Sequence, residues 1–507
     1  MTTASRTRKS TFTDITRPSE PIHGEYIRVL EKTLNNSQIA AEGDRIRATD
    51  TGFLLNIPIP RIPMLAHAPS SVHRPDKRAR RGGKMATKSE KSKSDAAKVP
   101  AASPSDDGSI RPNLAILIRL LLEHPEYASM LPPKPGNRQV HELITDFLPS
   151  MEEASEIRSG RRGSVKDKRR YFAPLFGRSV VSSYKMLPPE GEEYLYSARE
   201  NSQPVIRIQM LIMERFGKIF HDIYQAYRYR HMPEFERNNP RYLPTNHNWL
   251  ILNEQSVLTE WMNEKVQKRF QEEVQEEWRN WFENCYLETL EAEAASRDMT
   301  LKEALKTGKW TNKKPVSKDE WSTYPPNKAP ILGDDNSPLC RFRENLGLSS
   351  PEMLWLLGLQ IKSFFRYRER SNQRIDTAVS VLVRHFYNNP DDLALFITPP
   401  PSGEHLLRMI QSIDPGFQRR HIGLLFGGGV VAGYNMTQPG AEVSFFAHRL
   451  ASIFVEHIQY GTTIYWHLRE AVEAEVKARG LDITEFWKTG AWYHEYSEDD
   501  EREPAIC

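Results

Sequence analysis

One segment of this chain is written twice. "RRYFAPLFGRSVVSSYKM", Arg169 to Met186, returns 250 residues later as "RRHIGLLFGGGVVAGYNM", Arg419 to Met436, with nine of 18 positions identical. Two further pairs flank it in the same order. "LAILIRLLLEHPEYASMLPPKP" (Leu114–Pro135) matches "VSVLVRHFYNNPDDLALFITPPP" (Val379–Pro401), keeping Leu117/Leu382, Arg119/Arg384 and Pro125/Pro390 at an offset of 265. "EAEAASRDMTLKEALKTGKW" (Glu291–Trp310) pairs with "EAEVKARGLDITEFWKTGAW" (Glu473–Trp492), nine identities in 20 positions. Three collinear matches point to an internal duplication. They constrain the fold to two lobes of one architecture, with a period too long and copies too few for a solenoid.

The blocks read as helices. In each copy an apolar helix stops at a Pro-containing turn, a short helix leads to a Pro-rich stop, and a further helix follows ("VHELITDFLP", "HLLRMIQSIDP"). Copy one also carries "LTEWMNEKVQKRFQEEVQEEWRNWFENCYLETLEAEAA", whose apolar residues recur at steps of three and four from Leu258 to Tyr286. That predicts a long amphipathic helix over about 255–295, either packed within the monomer or forming a homodimer seam. Strand signals are sparse, so the expected fold is mainly α.

The sequence divides into an N-terminal segment (1–70), a basic linker (71–110), repeat one (111–325), a unit at 338–396, repeat two (374–495, overlapping that unit) and an acidic tail (496–507). The linker, "RPDKRARRGGKMATKSEKSKSDAAKVPAASPSDDGS", has almost no large apolar residue and is expected to be disordered. The net charge of +3 excludes a strongly basic protein, so any nucleic-acid surface must be local. The three cysteines fit no ligand or redox spacing and read as reduced thiols. Neither a secretory signal nor a membrane-length apolar run is present in the sequence, so a cytoplasmic protein with no membrane association is expected.

The segment "RFRENLGLSSPEMLWLLGLQIKSFFRYRER", Arg341 to Arg370, carries the clearest functional pattern. Ser349 is a helix cap with Pro351 in the first turn and Glu352 three residues on. Met353, Leu354, Leu356 and Leu357 form a buried face, and Gly358 permits a left-handed turn. A basic helix with Lys362, Arg366 and Arg368 follows. A short helix, a glycine turn and a basic helix make helix–turn–helix logic.

These residues resemble the Cro/C1-type, or XRE-like, helix–turn–helix family. The likeness rests on Leu346-Gly347-Leu348-Ser349, Glu352-Met353-Leu354, Leu356-Leu357-Gly358-Leu359 and Arg366-Tyr367. It departs from the family at Leu354, Gln360 and Phe364-Phe365. The resemblance implies a five-helix domain reaching about Phe396, with Gln360, Lys362, Ser363 and Arg366 facing a DNA major groove and Arg368 holding a phosphate. Arg341 and Arg343 are further phosphate candidates.

The repeated segment fits a looser version of the same pattern. In copy one Ala173 lies four residues before Gly177, and Gly177-Arg178-Ser179 makes the turn. Arg178, Ser179, Ser182, Ser183 and Lys185 are candidate DNA contacts, and Arg169 and Arg170 candidate phosphate contacts. Residues shared with copy two, Val181 and Tyr184 among them, read as architectural. Copy two replaces Arg178, Ser179 and Ser183 with Gly428, Gly429 and Gly433. Close backbone packing is the expected use of these glycines, because no phosphate-loop ending follows them.

No H-E-x-x-H, C-x-x-C or G-x-S-x-G is present in the sequence, and no catalytic, cofactor or metal site is expected. His448, His457 and His467 recur within "HRLASIFVEHIQYGTTIYWH", a metal-like pattern, but no Cys or carboxylate completes an obvious site, so they read as helical packing. The expected function is sequence-specific binding of double-stranded DNA by a transcriptional regulator of the kind bacteria and their mobile elements use. The alternative is a structural or assembly protein, of conjugation or phage type, whose duplicated lobes make protein contacts.

Overall fold

The computed structural model describes residues 18–37, 46–57, 110–145, 168–188, 202–237, 259–310, 338–369, 375–399, 401–441 and 443–492. The proposed disordered linker, apart from Ile110, and the acidic tail lie outside them. The described residues are mainly helical and contain no strand. No helix among them is long and apolar enough to cross a membrane. Cys285 is a free thiol; Cys340, read above as reduced, is disulfide-bonded, a pairing that sequence separation does not reveal.

Two compact units emerge, and they do not follow the order of the copies. The first takes Met1–Ser37, Pro60–Ala128 and Pro400–Cys507; the second takes Gln38–Ile59 and Ser129–Pro399. The opening helix of copy one, Pro112–Glu123, therefore lies in the unit built from the later blocks of copy two. The opening helix of copy two, Thr377–Asn388, lies with the later blocks of copy one. Each unit is completed by the other copy's first helix.

The contacts that seat each exchanged helix recur residue for residue. In the first unit Arg119 Nε donates to Glu475 Oε2 at 2.6 Å, and Arg479 Nε donates to Glu475 Oε1 at 2.7 Å. Arg479 also donates to the Ile110 carbonyl at 2.7 Å. In the second unit Arg384 Nε donates to Glu293 Oε2 at 2.7 Å, Arg297 Nε to Glu293 Oε1 at 2.6 Å, and Arg297 to the Ile375 carbonyl at 3.3 Å. All six side chains are buried. Carbonyls share the excess positive charge: Arg119 also donates to Pro18 and Glu20, and Arg297 to Trp310. Such a buried triad is costly to assemble and more costly to break, since removing one partner strands the others without water.

The glycine of the repeated segment serves the same junction. Gly177 (φ +73°) and Gly427 (φ +76°) both turn left-handed. A Cβ on Gly177 would lie 2.6 Å from Thr377 Cγ2, and one on Gly427 would lie 2.3 Å from the Asn113 backbone. Each glycine thus admits the start of the exchanged helix, and no other residue fits both the turn and the gap.

In the second unit a continuous helical rod runs from Glu264 to Ala295, with a π-helical stretch over Phe282–Leu287. Phe270, Val274, Trp278, Trp281, Phe282 and Tyr286 are all buried along it. Its partner is the 29-residue Gln203–His231 helix: Phe216 meets Trp278 edge-on at 5.4 Å, and Phe220 meets Phe270 at 5.2 Å. The apolar stripe proposed as a dimer seam is therefore occupied within the unit.

Candidate nucleic-acid interface

The segment from Arg341 to Glu369 has the helices and the glycine turn that its sequence predicts locally. Helix Ser350–Leu356 begins with a capping box: Ser349 N donates to Glu352 Oε2 at 2.9 Å, and Glu352 N donates to Ser349 Oγ at 3.4 Å. Gly358 (φ +61°) makes the turn, and helix Ile361–Glu369 follows. A Cβ on Gly358 would meet the Gln203 carbonyl carbon at 2.5 Å, so this turn is seated on the start of the Gln203–His231 helix. Gln360, Lys362 and Arg366 are exposed, Ser363 is half-buried, and Phe364 and Tyr367 point inward. Arg368 lies on the same helix. Among the described side chains of that helix, Lys362 and Arg366 are exposed while the aromatic Phe364 and Tyr367 are packed inward.

The preceding helix is unlike a free-standing reader. Its first residues, Ser349 to Glu352, are buried, and Ser349 Oγ donates to Asn56 Oδ1 at 3.2 Å. Helix Ala48–Leu55 covers it: Phe53 stacks on Trp355 at 4.1 Å. Arg207 donates to Asp50 Oδ1 at 2.7 Å and to the Trp355 carbonyl at 2.8 Å, and the Trp355 indole donates to Asp50 Oδ1 at 3.0 Å. Burial pushes the Asp50 carboxyl up, but Arg207 and Lys134 outweigh it and hold it below the usual value. A first helix that ordinarily crosses the phosphate backbone is here a core element. Arg341 is buried, and Arg343 donates to Ser350 Oγ at 3.2 Å, so both face away from a phosphate role. The Ala48–Leu55 helix is not legible as part of this site in the sequence, because its partners lie about 300 residues away.

The copy-one segment comes to the same corner of the second unit. Asp376 N donates to Tyr367 Oη at 3.3 Å, and its carboxylate accepts from Arg178 at 3.3 Å and from Ala378 N at 3.1 Å. Arg178 also donates to Ser202 Oγ. Arg178 is therefore engaged internally rather than extended toward a ligand. Ser179 caps helix Val180–Met186, accepting from Ser182 N at 3.3 Å, and also meets Ser182 Oγ at 3.0 Å. Ser183 overturns its expected role. It is fully buried, accepts from Ala173 N at 2.9 Å and donates to the Arg170 carbonyl at 3.0 Å, so it cannot reach a groove. Arg170 and Lys185 are exposed and Arg169 is half-buried, with its guanidinium 5.9 Å from the Tyr184 ring centre.

These contacts explain the substitutions in copy two. Where copy one bonds Ser183 to Ala173, copy two packs bare backbone: a Cβ on Gly423 would lie 2.5 Å from Gly433 N. Asp376, which accepts from Arg178 in copy one, has Arg111 as its counterpart at the 265-residue offset, so copy two has no carboxylate at the matching position. Of the three glycines expected to pack closely, Gly433 does, since a Cβ there would lie 2.8 Å from Gly423 N; one on Gly428 would meet the Ala432 Cβ at 3.1 Å, and one on Gly429 would meet nothing within 4 Å.

Two residues that read as architectural in the sequence are at the surface. Val181 is 66% exposed and Tyr184 42%, while their counterparts Val431 and Tyr434 are 54% and 44% exposed. Arg419 sits 5.8 Å from the Tyr434 ring centre, as Arg169 does from Tyr184. Identity between copies signals retention, but not whether burial or contact is the reason. No family model, curated protein or solved structure matches this chain.

Proposed function

We propose that this chain is a sequence-specific binder of double-stranded DNA, acting as a transcriptional regulator of the kind bacteria and mobile elements encode. The observation that carries the reading is the exposure of Gln360, immediately before helix Ile361–Glu369, and of Lys362 and Arg366 on it, behind a left-handed glycine turn and a boxed, buried partner helix. Gln and Arg are the side chains that pair bidentately with adenine and guanine edges, and Lys supplies a phosphate contact. The acid-free stretch from Lys168 to Met186, with exposed Arg170 and Lys185, adds positive charge in the same unit.

The test is an electrophoretic shift on duplexes selected from a random pool by the full chain. The Lys362→Ala/Arg366→Ala variant should weaken binding. It should also lower the slope of log affinity against log salt by about 1 for each cation removed from a phosphate. Unchanged affinity and slope would remove helix Ile361–Glu369 as the reader. A second reading, assembly through protein contacts, has its own observation: the Val–Tyr pair exposed at equivalent places in both copies. Exposed aromatic residues kept through divergence are contact residues more often than ornaments.

A further inference from the structure

The first unit gathers a donor set that the sequence does not show. His467, on helix Thr463–Ala478, stacks on His124 with ring centres 3.5 Å apart and planes 10° from parallel. Glu126 Oε1 lies 3.2 Å from His124 Nδ1. One donor atom from each of the three residues lies within 4.8 Å of the other two. Tyr127 Oη sits 2.8 Å from His467 Nδ1, the kind of hydrogen bond that orients a ligating imidazole from behind. In the sequence His467 has only His448 and His457 near it, because the carboxylate and the second imidazole follow the exchanged helix, more than 300 residues earlier.

We propose that His124, Glu126 and His467 form a binding site for a divalent transition-metal ion, zinc above all, which clasps the exchanged helix to its host unit. Two imidazoles and one carboxylate are a borderline set that suits zinc and rejects magnesium or calcium, which take all-oxygen shells. The arrangement is not a by-product of the shared architecture. At the corresponding offsets the second unit carries Asn389, Asp391 and Cys285 in place of His124, Glu126 and His467. There Asp392, the counterpart of Tyr127, accepts from Trp281 and Arg215 and meets His385 Nε2 at 2.7 Å. One scaffold holds with and without the imidazoles, so packing alone does not call for them.

The experiment is titration of the chelator-stripped full chain with zinc chloride in competition with a chromophoric chelator, followed by X-ray absorption of the loaded protein. Saturable binding of one equivalent is expected, with a shell of nitrogen and oxygen at about 2.0–2.2 Å. His124→Ala/His467→Ala and, separately, Glu126→Gln should each weaken it at least about tenfold. His405→Ala, an exposed histidine in the same unit, should leave it unchanged. Glu126 is 60% exposed, so its amide variant tests the site without threatening the fold, and circular dichroism checks each variant. Binding that survives both ligand variants, a sulfur-containing shell, or no saturable uptake would each overturn the proposal.

Discussion

The two units share their buried contacts and part company at their surfaces. Both bury an Arg–Glu–Arg triad against the same backbone carbonyl position, and both use a left-handed glycine to admit the exchanged helix. Outside that frame they diverge. The second unit carries Arg178, Ser183 and a tethered Asp392; the first carries Gly428, Gly433 and the His124–Glu126–His467 cluster. The difference separates what the fold demands from what each unit adds. A residue kept in both units and buried is explained by packing. A residue present in one unit only, or kept in both while exposed, needs another reason.

The heaviest loss of stability should follow removal of the triad glutamates. Glu475→Ala in the first unit and Glu293→Ala in the second should each cost about 3–5 kcal/mol, because each strands two buried guanidinium groups. Hydrogen exchange read by mass spectrometry would localise the loss: helices Pro112–Glu123 and Thr463–Ala478 for the first variant, Thr377–Asn388 and Glu288–Ala295 for the second. A large loss in one unit and none in the other would mean that the matching geometry hides unequal energetics.

A smaller effect is expected from Ser183→Ala. It leaves the Ala173 N–H and the Arg170 carbonyl without their partner in a buried place, at a cost of about 1–3 kcal/mol in chemical denaturation. The counterpart Gly433→Ala should also destabilise, for the opposite reason: its Cβ would press on Gly423 N at 2.8 Å. If Ser183→Ala proves neutral, the hydroxyl is dispensable and copy one tolerates the bare-backbone solution of copy two.

Much of this is legible in the sequence, and the remainder is hidden for physical reasons. The Ser349–Glu352 capping box, the Gly358 turn and the Pro-terminated opening helices follow from local rules that act over three or four residues. The triads are half-visible: Arg119/Arg384 and the glutamates lie in matched blocks, but nothing local says that each arginine answers the other copy's glutamate. Helix Ala48–Leu55 and the His124–His467 stack depend on contacts spanning hundreds of residues, which no local periodicity encodes. Ser183 and Tyr184 are neighbours on one short helix, one fully buried and one exposed, and seven residues are too few for a periodicity to assign their faces.

The smallest stability effect, and the most telling functional one, is expected at the exposed pairs. Val181→Ser/Tyr184→Ser and Val431→Ser/Tyr434→Ser should each shift stability by about 1 kcal/mol or less per substitution, because more than 40% of each residue stays exposed. If the faces exist for protein contact, both double variants should reduce self-association measured by light scattering while leaving the electrophoretic shift intact. If they belong to DNA binding, the shift should weaken instead, and more for Val181/Tyr184, beside exposed Arg170 and Lys185, than for Val431/Tyr434, where Asn435 stands in place of the lysine. The two outcomes are exclusive at the level of which assay moves. They decide whether the retained valine and tyrosine are a shared reading surface or a shared joint, a choice that burial alone leaves to chemistry, since a valine methyl packs equally well on a thymine methyl or on another protein.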